Sequence, residues 1–523
     1  MNRLDAVAFL FLAFFLIAWL RSRSRRSLHV RRHLPLPPGP KPLPILGNAL
    51  DVDRVTPWMT YMTWANEYGP LVYVRLLGKD VVIINSEEVA QSLLDRRSAI
   101  YSDRPPYVTN KLLGLDYNSG FLPYGDEWRL HRRLFQQSFH RVAVQNMYPM
   151  LLRKARSLGE AFVKHPEEYL TYLNAHAASV AMAAVYAYDT KPKDDPLVSA
   201  LQRLLDLALQ LMTPEREILA ASIPFLMHIP TWMPGSKFKK EALQCNIYAK
   251  EILERPFEYT LKARAAGNTS HSMVTDLLRR YGGGEDSSHA SEAIKAAATT
   301  AFGGQQYNCI STLNCFILAM VLYPDAQTRA QEQIDAVVDS QRLPEFDDRP
   351  SLPYVEALIR EVMRWHPVTP LALPHGTTQH DVFEGQYIPK GAMIIMNAWS
   401  IVTKVIQIEF SFLMLHRAMS RSSKYSHPDT FLPERFLTES GSLTNDTVTF
   451  CFGAGRRICP GRYLAGACLW SSIVTLLSCF EFRKVHDGWN ENDVEWTSGV
   501  TVHPRPFPCK IIPRARAGLV STR

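Results

Sequence analysis

The chain has 523 residues, of which 46% are hydrophobic and 21% charged, and a net charge of +8. Its eight cysteines all follow residue 240 and lack the spacing of a metal cluster or a secreted disulfide framework, which indicates reduced, cytosol-facing thiols. Seven positive and no negative residues lie between residues 6 and 50, so the rest of the chain is nearly neutral, which argues against a nucleic-acid partner.

Residues 4–20 are apolar except for Asp5 and, as a helix, would span roughly 25 Å, enough for a thin bilayer such as the endoplasmic reticulum. A cleavable signal peptide is the alternative, but it would carry its positive charge before the apolar stretch and end in a small-residue cleavage site. Here the arginines follow the stretch, at positions 21, 23, 25, 26, 31 and 32. The positive-inside rule then predicts a single-pass anchor with the rest of the chain in the cytosol.

Residues 21–47 are predicted to form a basic and proline-rich hinge. Its second part, residues 34–47, reads LPLPPGPKPLPILG. Prolines restrict φ and remove hydrogen-bond donors, which favours a stiff, extended spacer between the membrane and a domain spanning residues 48–523.

That domain is predicted to be mostly α-helical, with a smaller β region near its N-terminal half. Residues 71–85 alternate β-branched and aromatic side chains around Gly-Lys-Asp, a pattern typical of an antiparallel hairpin. Residues 292–322 predict a long central helix that Pro324 ends. Gly303 and Gly304 lie within this helix, where small residues allow a flat group to approach closely.

The segment Phe452-Gly-Ala-Gly-Arg-Arg-Ile-Cys459-Pro-Gly461 precedes an apolar helical run. Pro460 suits the first turn of that helix, which would place Cys459 at its positive end and stabilise a thiolate. Gly453, Gly455 and Gly461 are expected to let backbone amides point at the sulfur. The alternative is a buried core cysteine beside a glycine-rich turn.

The pattern Phe452-x-x-Gly455-x-Arg457-x-Cys459-x-Gly461 resembles the haem-binding signature of the cytochromes P450. The resemblance covers nearly the whole chain, and it is nearest to fungal members of the endoplasmic reticulum that oxidise secondary metabolites. It implies the cytochrome P450 fold and haem b as cofactor. Cys459 would bind the iron, and Phe452, Arg457 and Gly461 would contact the haem.

Two further motifs of the family concern buried charge. Glu361-Val-Met-Arg364 matches its Glu-x-x-Arg motif, and Arg435 lies in the downstream Pro-Glu-Arg-Phe motif. Residues i and i+3 share a helix face, so Glu361 and Arg364 can pair. Alone this would be an ordinary surface pair; with Arg435 it resembles a structural triad that braces the haem side of the core.

Four residues resemble the family's haem-propionate ligands. Trp128 and Arg132 match its Trp-x-x-x-Arg motif, while Arg457 and His375 fit the same role by position. A guanidinium suits a carboxylate because its planar fork is always charged. The alternatives are a basic helix end for the first pair and an ordinary core histidine for His375.

The central helix departs from the family pattern. Alignment back from Pro324 places Tyr307 and Asn308 where the family has an acid and an alcohol that supply protons for oxygen activation. An amide can hold a water but does not titrate, so these candidate catalytic residues put ordinary oxygen activation in question.

Residues 400–417 are a second departure, an 18-residue stretch that family members typically lack, with ten strongly apolar residues. The alternatives are a lineage-specific insert that forms a lipid-facing patch and a translated intron.

The expected reaction is insertion of one oxygen atom into a lipophilic small molecule. As in related members, electrons would come from NADPH through a separate cytochrome reductase. Arg456 and Arg462 are candidate docking charges for that reductase, and an ordinary solvated surface is the alternative. Two alternatives remain: a haem-thiolate isomerase, dehydratase or peroxide-dependent enzyme, and a non-catalytic haem-binding membrane protein.

Overall fold

The computed structural model describes most of the chain, namely residues 34–212, 217, 220, 230–233, 236–267, 270–282, 287–403 and 424–520. The predicted anchor at residues 4–20, the arginine-rich part of the hinge and most of the predicted insert lie outside the described residues. The predictions for these segments are therefore carried by sequence alone.

Helices dominate the described residues, as predicted. They are α1 (Pro57–Tyr68), α2 (Glu87–Ala90), α3 (Ser98–Tyr101), α4 (Asn110–Leu113), α5 (Asp126–Phe139), α6 (Arg141–Gln145), α7 (Tyr148–Lys164), α8 (Tyr169–Tyr186), α9 (Pro196–Leu211), α10 (Lys237–Ala265), α11 (Met273–Tyr281), α12 (Ser287–Leu322), α13 (Pro324–Val337), α14 (Pro353–Trp365), α15 (Ala398–Thr403) and α16 (Arg462–Cys479).

Eight short strands form three small sheets in the described part of the chain. They are β1 (Leu71–Leu76), β2 (Lys79–Ile84), β3 (His375–Gly376), β4 (Asp381–Phe383), β5 (Gln386–Ile388), β6 (Met393–Met396), β7 (Phe480–Lys484) and β8 (Cys509–Pro513). The predicted hairpin is confirmed, because β1 and β2 pair antiparallel.

The β region is not confined to the N-terminal half, and that expectation was wrong. β2 pairs in parallel with β6, so Val81 lies opposite Met393, and the four-stranded sheet has the order β1-β2-β6-β3. Such a pairing joins segments about 310 residues apart. It also carries His375, on β3, to the side of the molecule where the N-terminal strands lie.

The described part of the predicted hinge packs against the sheet. The amide of Tyr73 donates to the carbonyl of Pro38 at 3.0 Å, and the amide of Tyr387 donates to the carbonyl of Pro35 at 2.7 Å. A Cβ on Gly39 would lie 2.0 Å from the Tyr73 carbonyl oxygen, so this contact requires glycine. Residues 34–47 thus belong structurally to the globular body, which begins before residue 48.

The central helix α12 starts five residues earlier than predicted and ends at Leu322, after which Pro324 opens α13 at an angle of 103°. Among the described helices, α16 alone is long and apolar enough to cross a membrane as a single element, and 78% of it is buried in the protein. We therefore interpret α16 as a core helix. It lies in the same apolar core as α12, whose buried face runs through Phe302, Cys309 and Leu313.

Helix α15 changes the boundary of the predicted insert. Residues 400–403 complete this helix and are buried, and the amide of Ser400 donates to the side chain of Asn397 at 3.2 Å. The Asn397 amide in turn reaches the Trp58 carbonyl at 3.0 Å. The first four residues of the predicted insert are thus part of the core, while residues 404–417 lie outside the described residues.

Candidate functional site

Cys459 is presented by a loop whose shape depends on glycine. Gly453 and Gly455 have φ values of +82° and +61°, and a Cβ on Gly455 would lie 2.0 Å from the Leu94 carbonyl oxygen. The amide of Cys459 donates to the Phe452 carbonyl at 2.8 Å and closes the loop. Phe452 thereby fixes the backbone that carries the sulfur.

The sulfur interacts with one of the three glycine amides that the sequence had suggested. The backbone amide of Gly461 donates to Cys459 Sγ. The amides of Gly453 and Gly455 are used elsewhere, by the Phe450 carbonyl and the Asp95 carboxylate. Helix α16 begins at Arg462, so the placement of Pro460 in its first turn was also wrong.

Burial raises the pKa of Cys459, while the Gly461 amide and the charges of Arg132 and Arg462 lower it. Burial is the larger effect, so the amide and the arginines alone do not stabilise the thiolate. A bound metal ion would supply the missing stabilisation, because coordination displaces the thiol proton.

Arg457 lies beside this loop and has a guanidinium nitrogen that lacks a partner. Its Nε donates to the Ser102 carbonyl at 2.8 Å and its Nη2 to the Leu122 carbonyl at 2.9 Å. Its Nη1 is buried and has no hydrogen-bond partner among the described residues. The guanidinium packs over the ring of Trp128, 4.4 Å from its centroid. Two predicted site residues, far apart in sequence, are thus in contact.

Arg104 is a site residue that sequence reasoning missed. It is buried, and it donates from Nε to the Gly120 carbonyl at 2.8 Å and from Nη1 to the Leu373 and Pro374 carbonyls at 2.8 and 2.6 Å. Burial lowers its pKa to about 10. The sequence offered only an arginine before two prolines, which is no recognisable motif.

His375 follows these carbonyls directly. Its Nδ1 lies 2.8 Å from the Tyr101 carbonyl, which can only accept, so Nδ1 carries the proton. Burial, with the charges of Arg104 and Arg457, lowers the pKa of His375 to about 3. The ring is therefore neutral at pH 7 in this environment.

The site has an excess of buried positive charge. Burial, with the charges of Arg104 and Arg132, lowers the pKa of Arg457 to about 9, and the nearby Asp103 opposes this shift. Buried cations require anionic partners. The residues therefore fit a ligand that brings carboxylates to this position.

The central helix leaves space for the flat part of such a ligand. A Cβ on Gly303 or Gly304 would have no atom within 4 Å beyond its chain neighbours and the backbone of its own helix, although both residues lie in the middle of α12. Gly304 and Asn308, one turn apart, are exposed, whereas Cys309 is buried. A thiol, a cluster of guanidinium groups and an open helix face together fit haem b. Cys459 would bind its iron, and Arg132, Arg457, Trp128 and His375 would hold its propionates.

The three residues of the predicted triad meet in the core. Arg364 contacts Glu361 through Nε at 2.6 Å and Nη2 at 2.9 Å, and Arg435 Nε contacts Glu361 at 3.1 Å. The side chains of Glu361 and Arg364 are 0% exposed and that of Arg435 is 5% exposed. The centroid of the Tyr425 ring lies 5.5 Å from the guanidinium carbon of Arg364 and 5.8 Å from that of Arg435.

Tyr307 and Asn308 face different surroundings. The amide of Asn308 donates to the Gly304 carbonyl at 2.9 Å, within its own helix. Tyr307 packs edge-on against His503, with ring centroids 6.1 Å apart, and burial raises its pKa. Ser311 also reaches His503 Nδ1, at 3.3 Å. Tyr307 is thus directed at the C-terminal segment, and neither residue supplies an acid that titrates near neutrality.

A half-buried cysteine, a cluster of guanidinium groups that requires an anion and an open helix face fit a haem-thiolate protein. The sequence profile of the family described as cytochrome P450 matches residues 37–511. The chain belongs to the cytochrome P450 family, a family of oxidoreductases that contain haem with a cysteine axial ligand.

Curated relatives are similar over nearly their whole length. Cytochrome P450 monooxygenase 98 of Postia placenta is 33% identical over 93% of this chain and 92% of its own. Cytochrome P450 monooxygenase ple1 of Rhodocybe pseudopiperita is 34% identical over 95% and 92%, and cytochrome P450 monooxygenase claR of Ampulloclitocybe clavipes is 34% identical over 94% and 88%. All three are fungal proteins.

Proposed function

We propose that this protein is a monooxygenase that inserts one oxygen atom from O₂ into a lipophilic small molecule in fungal secondary metabolism. The observation that carries the proposal is the Cys459 thiol together with the buried guanidinium of Arg457, whose Nη1 has no partner among the described residues and suits a haem propionate. The fungal relatives are named monooxygenases, which supports the same reaction class.

Haem bound through a thiolate activates O₂ and favours cleavage of the O–O bond. The residues of this chain bind and orient the cofactor. Gly461 holds the sulfur through its amide, and Arg457 offers its unpartnered Nη1 to a carboxylate. The side-chain NH₂ of Asn308 donates to the Gly304 carbonyl. Its side-chain oxygen Oδ1 can therefore accept a hydrogen bond from a water or from substrate.

Electrons would come from NADPH through a separate cytochrome reductase. Arg456 is exposed and donates to the hydroxyl of Tyr124, whose ring also lies 4.9 Å from the guanidinium of Arg129. Arg462 is only half-exposed, and its Nη1 donates to the Cys459 carbonyl at 3.1 Å. Of the two docking charges suggested by sequence, Arg456 is the better placed for a partner.

The anchor at residues 4–20 and the arginines that follow support a location in the endoplasmic reticulum membrane, with a single span and a cytosolic catalytic domain. Removal of residues 1–33 should release the protein from microsomal membranes into the soluble fraction. The truncated protein, which begins at residue 34, should still bind haem.

A peroxide-dependent enzyme is the second candidate, because Tyr307 and Asn308 provide no proton donor that titrates near neutrality. The test is incubation of the purified protein with a panel of lipophilic compounds under ¹⁸O₂. Product labelled from O₂ with NADPH and reductase would support the monooxygenase. Product formed only with added hydrogen peroxide would support the second candidate.

The segment 404–417 can be tested as an insert in the catalytic domain. Its apolar, weakly charged windows favour aggregation when exposed, so deletion of residues 404–417 should raise soluble yield. Deletion of residues 400–417 should lower the yield, because it also removes buried residues of α15. Loss of haem binding on the shorter deletion would show that the segment is structural.

A further inference from the structure

Two thiols meet in the core of the molecule. Cys309 lies on the central helix α12 and Cys468 on α16, and their sulfurs are 3.3 Å apart. The side chains are 4% and 0% exposed. A disulfide bond is about 2.05 Å long, so the sulfurs need to approach by only about 1.2 Å to form one.

The surroundings of Cys468 favour its ionised form. The hydrogen bond with Cys309, and then that with His176, lower the pKa of Cys468, whereas burial opposes them. His176 Nε2 also lies 2.8 Å from Ser472 Oγ, which donates to the Cys468 carbonyl at 2.8 Å. Since the thiolate is the reactive form of cysteine, Cys468 is the nucleophile of the pair.

Unpartnered polar atoms lie next to the thiols. Gln306, one turn before Cys309 on the same buried face of α12, is 1% exposed. Neither polar atom of its side chain has a partner among the described residues, and the same holds for His176 Nδ1. Buried polar atoms are almost always hydrogen-bonded, so these groups suit a small polar molecule.

We propose that Cys309 and Cys468 form a peroxide-reactive dithiol, which hydrogen peroxide converts into a disulfide between α12 and α16. The Cys468 thiolate attacks one oxygen of the peroxide, the O–O bond breaks, and the leaving hydroxide takes up a proton to become water. The resulting sulfenic acid condenses with the Cys309 thiol, which forms the S–S bond and releases a second water. Each sulfur loses one electron, and the peroxide accepts both.

The origin of the peroxide rests on the proposed function. Asn308, the residue before Cys309, occupies the position where the family supplies protons for oxygen activation. When that proton supply is incomplete, the reduced oxygen is released as hydrogen peroxide. The dithiol would meet that peroxide close to where it forms. Its chemistry can be tested with added peroxide, so failure of the proposed oxygenation leaves the test unaffected.

The experiment uses the full-length, haem-loaded protein in detergent. After stepwise addition of hydrogen peroxide, excess peroxide is removed with catalase, and the protein is unfolded in denaturant so that N-ethylmaleimide can block every remaining thiol. It is then digested without reduction for mass spectrometry. We expect a cross-linked peptide pair joining Cys309 to Cys468, about 2 Da lighter than the two reduced peptides because two hydrogens leave. Dithiothreitol should restore both thiols.

Two variants accompany the wild type. Cys315→Ala changes another buried cysteine of α12 and should leave the cross-link intact. Cys309→Ala should lose it while keeping the carbon monoxide spectrum of the reduced haem protein. If Cys309→Ala fails to fold, the peptide map of the wild type still decides the question.

Met59, which is 39% exposed, serves as an internal gauge of oxidation. If both thiols stay open to N-ethylmaleimide at a peroxide dose that oxidises Met59, the proposal is overturned. It is equally overturned if either cysteine proceeds to a sulfinic acid without cross-linking.

Discussion

Two regions of the molecule differ in how their polar groups are hydrogen-bonded. The cysteine side comprises the Cys459 loop and the Glu361 triad, and the central-helix side comprises α12. On the cysteine side, the Glu361 carboxylate receives hydrogen bonds from Arg364, Arg435 and the amide of Leu432. On the central helix, Gln305 Nε2 and both polar atoms of Gln306 have no partner among the described residues. The triad around Glu361 is complete in itself, whereas the central helix has hydrogen-bonding capacity left for small molecules.

The largest expected effect concerns the cysteine side. Cys459→Ala should abolish the red-shifted Soret band that the reduced protein shows with carbon monoxide, because no thiolate remains to bind the iron. Product formation should fall to background. Absorbance spectroscopy of the purified variant measures the first effect, and Cys451→Ala is the matched control. Cys451 belongs to the same loop, but its sulfur donates to the Met363 carbonyl at 3.3 Å, so its loss should leave the band in place.

Glu361→Gln should be the next most severe change. It leaves two buried guanidinium groups without their counter-charge, which costs about 3–5 kcal/mol of unfolding free energy. Glu356→Gln is the control on the same helix, because Glu356 pairs with the partly exposed Arg349 at 2.8 Å, and such pairs contribute about 1 kcal/mol or less. Denaturant unfolding of both variants measures the difference. Equal losses would show that burial of the triad has no special weight.

The cysteine side was also the more predictable from sequence. Cys459, the triad and the Trp128 pair lie in linear motifs, whose spacing can be read without a structure. Arg104 was missed because its partners Leu373 and Pro374 are 269 and 270 residues away. The pairing of β2 with β6 and the start of α16 at Arg462 were missed for similar reasons, since long-range packing and loop geometry decide them.

A severalfold effect is expected on the central helix. The double variant Tyr307→Asp, Asn308→Thr restores an acid and an alcohol, and general acids contribute about 10²–10⁴ to the step they serve. Other steps limit turnover too, so we expect only a severalfold rise in product per NADPH. The measurement is NADPH consumed, peroxide released and product formed with one substrate.

Tyr307→Phe is the control for this experiment, because it keeps the ring that packs on His503 and removes only the hydroxyl. Its coupling should equal that of the wild type. A fully coupled wild type and a less coupled double variant would instead show that the amide of Asn308 belongs to a working site of a different design.

The smallest expected effect concerns the face of the central helix that contacts His503. Ser311 Oγ donates to the Tyr307 carbonyl at 2.9 Å and lies 3.3 Å from His503 Nδ1, and Ser311 is 1% exposed. Ser311→Ala should lower the unfolding free energy by about 0.5–1.5 kcal/mol, the value of one buried hydrogen bond. Burial lowers the pKa of His503, so the ring is neutral above pH 7 and the loss should not vary between pH 7 and 8.

Ser138→Ala is the matched control for that variant, because Ser138 makes the same kind of bond to the Leu134 carbonyl, at 3.1 Å, on α5. Both variants should lose similar stability, and neither should change the share of NADPH that appears as peroxide. If Ser311→Ala alone raised that share, the contact between Tyr307 and His503 would have to take part in proton supply. The central helix would then carry protons along the face that contacts His503. Tyr307 would replace the family's acid in function as well as in position.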